Sequence, residues 1–133
     1  MLPPFDEHGY LPPGTHAATL EEIEARFGRH SELRRVQMQS LRWMMDAARR
    51  AGVSRIIING SFVTDVPEPN DVDCALLLVP GSSVDASAQD ELTAGFPFLE
   101  IQVVEQDGFE YLIERFFATD RDSIPKGVVE VIR

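Results

Sequence analysis

Arg55-Ile56-Ile57-Ile58-Asn59-Gly60-Ser61, followed nine residues later by Asp71-Val72-Asp73-Cys74-Ala75-Leu76-Leu77-Leu78-Val79, is the stretch that decides the fold. The first run is short and β-branched, the mark of a central strand covered on both faces. Gly60-Ser61 ends it, Pro67 and Pro69 mark a loop, and 71–79 reads as a second strand, polar at its start and apolar from Cys74 onward. Alternate side chains of a strand share a face, so Asp71 and Asp73 point the same way with Cα atoms about 6.5–7 Å apart. Val72 and Cys74 face the other way, which makes Cys74 a core residue.

Towards the C-terminus, 81–84 reads as a turn, 86–94 as a short helix and 98–104 as a third strand with Glu100 its lone charge. The apolar residues Phe109, Leu112, Ile113, Phe116 and Phe117 fall at helical spacing, 120–127 is a polar turn, and 128–132 is a last strand, expected at a sheet edge. Towards the N-terminus, Thr19 and Glu22 form a capping box that starts a helix near Leu20, and Gly28 ends it. Ser31 caps a longer helix running to about Ala51, with Gly52 as its stop. At 100° per residue that helix gathers Leu33, Val36, Met38, Leu41, Trp43, Met44, Met45, Ala47 and Ala48 on one broad arc. Arg35, Arg42 and Arg49 lie opposite, with Arg34 and Arg50 nearby, as a solvated face or a dock for an acidic partner. Leu2-Pro3-Pro4 and Leu11-Pro12-Pro13 make 1–18 an extended arm, leaving 19–133 as one domain. The expected class is α/β (α+β), a mixed central sheet flanked by helices.

Composition narrows the function. The 133 residues are 44% hydrophobic, enough for a real core, and 12 basic against 22 acidic residues give a net charge of −10. That field repels phosphate backbones and argues against general nucleic-acid binding. One cysteine forms no internal disulfide, His8, His16 and His30 are scattered, and no zinc spacing or nucleophile motif is present. The first basic residue is Arg26 and no apolar run approaches a membrane span, so a cytoplasmic protein is expected.

The chemistry lies around the two strands. Asp71 and Asp73 can converge on hard divalent cations, bridging a metal pair about 3.5–4 Å apart, and Glu100 from a neighbouring strand would be a third carboxylate. Gly60 lets a phosphate approach the backbone, Ser61 can donate to it, and 62–65 would open a short helix aimed at the same phosphate. A cradle, a carboxylate pair and a third acid suit attack on the α-phosphate of a nucleoside triphosphate.

An apolar strand ending in Gly60-Ser61, then Asp71-Val72-Asp73, then Leu99-Glu100-Ile101 resembles the nucleotidyltransferase superfamily of DNA polymerase beta, over residues 55–104. Leu11-Pro12-Pro13-Gly14, Gly60-Ser61-Phe62-Val63-Thr64, Pro67-Glu68-Pro69-Asn70-Asp71, Asp120-Arg121-Asp122 and Pro125-Lys126-Gly127 look like an uncharacterised family of short bacterial nucleotidyltransferase-like proteins, extending the likeness over nearly the whole chain. The resemblance implies a nucleotidyltransferase fold with Mg2+ or Mn2+ on Asp71 and Asp73. It also implies that Glu100 ligates the catalytic metal or helps deprotonate the acceptor, and that Gly60 with Ser61 holds the β and γ phosphates. The chain departs where short antitoxin-type members place arginines after Gly-Ser and a serine before the first aspartate: it has Phe62-Val63-Thr64-Asp65 and Asn70. Lys126, Arg121 and Arg115 are the candidates to supply the missing charge. The alternative is a catalytically inactive binding module, such as the antitoxin-like partner of a toxin. Larger relatives carry a helical domain that grips the acceptor, and 133 residues leave no room for one, so a homodimer or a protein partner is expected.

Overall fold

The computed structural model describes residues 2–79, 81 and 85–132. Along the chain come β1 (Gly14–Thr19), α1 (Leu20–Phe27), α2 (Glu32–Ala51), β2 (Arg55–Asn59), β3 (Val72–Leu77), α3 (Ala86–Ala94), β4 (Leu99–Val104), α4 (Gln106–Tyr111) and β5 (Gly127–Ile132). A 3-10 turn, Ser61–Val63, follows β2, and a π-helical turn, Leu112–Phe116, continues α4. Most of the turn expected at 81–84, and the side chain of Phe116, lie outside the described residues. Among the described residues no helix is long and apolar enough to cross a membrane.

The helix ends follow their side chains. Thr19 Oγ1 accepts from the Glu22 amide and Glu22 Oε1 accepts from the Thr19 amide, both at 3.2 Å, closing the capping box of α1. Ser31 Oγ accepts from the Arg34 amide at 3.1 Å, and Gly52 at φ 83° ends α2 in the left-handed conformation that favours glycine.

The five strands form one sheet in the order β1-β5-β2-β3-β4. β1 runs parallel to β5 and β3 parallel to β4, while β2 is antiparallel to both its neighbours. The fold is thus mixed α/β around a mixed sheet. Two expectations are corrected. Residues 14–18 are not arm but most of an edge strand, and Leu11 and Ala18 are fully buried. β5, in turn, is not an edge: β1 covers one side and β2 the other. Both errors share a cause, because Gly14 to Thr19 pairs with Gly127 to Ile132, far along the chain, and nothing local announces such a partner.

The sheet is covered on both faces. Ile56, Ile58, Val72, Cys74, Leu76 and Val129 pack with α1, α2 and α3, while Ile57, Ala75, Leu77 and Val128 pack with Phe109, Leu112 and Phe117. Each isoleucine, leucine, valine or phenylalanine among them contributes roughly 1.5–3 kcal/mol on leaving water. The arc of α2 is narrower than its periodicity suggests. Met38, Leu41, Met44, Ala47 and Ala48 are buried, but Val36 and Trp43 stand 44% and 52% exposed. A sheet covers only one side of a helix, so the margin of a broad arc stays in solvent. On the opposite side, Arg42 pairs with Glu24 at 2.7 Å, and Arg49 and Arg50 pair with Asp46 at 2.9 and 3.0 Å. Much of that basic face is therefore neutralised within the chain. Arg34 is corrected outright: it is buried.

Candidate functional site

β2 ends where β3 begins, and Asn59 lies opposite Asp73 in the antiparallel pair. β4 runs parallel to β3 with Glu100 opposite Asp73. Residues opposite one another share a face, so Asn59, Asp73 and Glu100 form a polar row across three strands. The rest of that face is covered by α4 and the π turn, which leaves the row at the open end of the sheet. Val128 packs on the same face, so alternation places Lys126, two residues before it, on this side as well. Asp71 sits exposed just ahead of β3.

Gly60 is required by the close approach of Asp73. Its φ is 86°, and a Cβ there would lie 2.7 Å from Asp73 Oδ2. Only a glycine combines that backbone conformation with a carboxylate pressed against it. The following chain makes the single 3-10 turn rather than the short helix expected at 62–65, and the Val63 and Thr64 amides donate back to the Gly60 and Ser61 carbonyls.

Burial, a hydrogen bond that protonated Asp73 donates to Glu100, and the repulsion of that second carboxyl push the Asp73 pKa up to about 6. Asp71 adds repulsion, and Lys126 opposes it. Burial lowers the pKa of Lys126, while Asp73 and Asp120 hold it up. Asp120 is itself anchored: Tyr10 Oη donates to its Oδ2 at 2.6 Å, which holds Asp120 below the usual carboxylate range and pushes Tyr10 up to about 12. The N-terminal segment therefore reaches the flank of the site. The Asp65 amide donates to the Gly9 carbonyl at 3.0 Å and the Gly127 amide to the Leu11 carbonyl at 2.9 Å, so the segment runs between the 62–70 loop and β5.

Asp73 and Glu100 fit a hard cation. They offer carboxylate oxygens side by side on two paired strands, and Mg2+ commonly binds one or two carboxylates with water and phosphate completing its shell. The closed cage of Asp71, Asp73 and Glu100 is not assembled: among the described residues no three His, Cys, Asp or Glu side chains close on one point.

Two residues of consequence escape sequence reasoning. Asn59 is 2% exposed and its Oδ1 has no hydrogen-bond partner. It stands in the polar row beside Asp73, and its only signal is a polar residue closing an apolar run. Arg34 looked like part of a solvated face, yet its guanidinium donates to the carbonyls of Phe27, Phe62, Thr64 and Val66. Gln37 donates to Pro69 and Asn70 carbonyls at 2.8 and 3.0 Å. Through these two side chains α2 holds the loop that joins Ser61 to Asp71. A cleft of about 590 Å³ opens on another side of that loop, lined by Phe5, Arg26, His30, Arg34, Asp65 and Glu68 among others. Its arginines are engaged on backbone carbonyls, Arg26 on Pro3 at 2.9 Å, so the carboxylate row has the stronger claim to chemistry.

The chain belongs to a family of unknown function (DUF6932), whose family model matches residues 3–132. No curated protein and no solved structure matches it.

Proposed function

We propose that this member of a family of unknown function is a minimal nucleotidyltransferase, moving a nucleoside monophosphate from a nucleoside triphosphate to an acceptor such as a protein or an RNA. One observation carries the reading: a half-buried Asp73, pressed against the Gly60 backbone, lies opposite Glu100 of the next strand, whose carboxyl helps to raise its pKa. In this reading Asp73 and Glu100 hold Mg2+ or Mn2+, with Asp71 alongside. The bound ion supplies charge neutralisation and in-line alignment at the phosphates. Gly60 admits a phosphate to the backbone, Ser61 donates to the β and γ phosphates, and the Lys126 ammonium balances their charge. Glu100 accepts the proton of the acceptor hydroxyl as the hydroxyl oxygen bonds to the α-phosphorus and pyrophosphate leaves.

The test is calorimetry with each nucleoside triphosphate and Mg2+ or Mn2+, followed by transfer of an α-phosphate label. Metal-dependent binding that disappears in a folded Asp73→Asn variant is expected. Equal binding by wild type and variant overturns the reading.

A second reading is favoured by the loop itself. No basic residue occurs in 62–70, and the adjacent Arg34 is engaged on carbonyls. A catalytically inactive module, such as the antitoxin-like partner of a toxin, would transfer no label and would co-purify with a stoichiometric protein.

A further inference from the structure

We propose that β4 is the strand through which two copies of this chain associate, antiparallel about a two-fold axis normal to the sheet. The two edges of the sheet are β1 and β4, and they are unequally protected. Proteins blunt exposed edges with proline, lysine or local distortion. β1 follows Pro12-Pro13, opens with Gly14, and has His16 Nε2 tied to the Pro12 carbonyl at 2.6 Å. β4 is less protected: Pro97 stands two residues ahead of it and Glu100 is its one charge. Its six residues, Leu99-Glu100-Ile101-Gln102-Val103-Val104, include no proline, lysine or arginine. Val103 is 42% exposed and Phe98, immediately before the strand, 41%. Phe98 adopts φ 64°, rare for an aromatic residue, in a conformation where its carbonyl accepts from the Val72 amide at 2.8 Å.

A second copy fits because the strand is self-complementary. An axis normal to the sheet keeps each residue on its own face, so opposed residues must share parity. Centred on Ile101, the pairing sets Leu99 against Val103 and Glu100 against Gln102. Apolar then meets apolar, each carboxyl meets an amide, and no two like charges face each other directly. Gln102 of the second copy would thereby reach Glu100 of the candidate site, and the two sheets would become one of ten strands. A net charge of −10 on each copy opposes the approach, so association tightens as salt rises.

Sedimentation of the full chain over a range of concentration, in low and high salt and without nucleotide, tests this apart from the reading of the site. A dimer strengthened by salt is expected, with the dissociation constant at least about tenfold weaker in Val103→Lys, whose circular dichroism and melting should match wild type. Ile101→Cys should cross-link to itself through a short bis-maleimide, since opposed Cα atoms of an antiparallel pair lie about 4.5–5.5 Å apart. Buried Cys74 should not. A wild type that stays monomeric throughout, a dimer indifferent to Val103→Lys, or an Ile101→Cys variant that does not cross-link overturns the proposal.

Discussion

Asp73 binds its proton more firmly in the folded chain than in the unfolded one, because burial and Glu100 raise its pKa from 3.8 to about 6. A raised pKa gives stability that is complete below the unfolded value and is lost as pH rises through the folded one. Stability should therefore fall between about pH 4 and 6. Asp73→Asn should flatten that slope and raise stability at pH 7–8 by ~1–2 kcal/mol, after allowing for partial solvent screening, as urea denaturation across pH will show. Gly60→Ala should act in the opposite direction. A Cβ at φ 86° and 2.7 Å from Asp73 Oδ2 must displace a carboxylate as well as strain the backbone, and a loss of ~1–3 kcal/mol in thermal melts is expected. At Asn59 stability and binding should separate. A buried acceptor without a partner costs ~1–3 kcal/mol, so Asn59→Leu should hold or gain stability in denaturant melts while nucleotide binding measured by calorimetry falls.

At the scale of elements, the decisive contact is between α2 and the 62–70 loop. Arg34 holds four carbonyls of that loop and of the end of α1 in one planar fork. Lysine is a point charge on a flexible stem and matches few of them. Arg34→Leu should cost ~3 kcal/mol or more in urea, with Arg34→Lys recovering only a part, and limited proteolysis should cut first within 62–70. The same contact explains why an arginine lies on the buried side of an amphipathic helix: its partners are backbone carbonyls, which hydrophobic periodicity does not register. The break from α-helix to π turn at Leu112 is a comparable case, since the apolar spacing of 109–117 fits either winding.

For the whole molecule, the N-terminal segment is structural. β1 covers the outer side of β5, Leu11 is fully buried in the main core, and Tyr10 ties to Asp120 beside Lys126. A chain starting at Thr19 would bare a second, apolar edge of Val128 to Ile132 and lose Leu11 and Ala18 from the core. It should fail to give a cooperative melt by circular dichroism and should aggregate, whereas removal of residues 2–4 should leave a folded protein.

The sequence by itself determined what depends on neighbours within a few residues. The capping box of α1, the Ser31 cap of α2, the glycine stops of both helices and the buried β2 were legible, because caps, turns and alternation act over one to four positions. Gly60, Asp73 and Glu100 were legible as residues, but their meeting was not. Glu100 alone reads equally well as a surface charge, and only the parallel register of β3 and β4 sets it opposite Asp73. The tertiary structure alone decided that β1 exists, that β5 lies inside the sheet, that Arg34 is buried and that Asn59 lacks a partner. A strand's hydrogen bonds and a polar group's burial are supplied by residues distant in sequence, and no local pattern encodes which distant backbone will arrive.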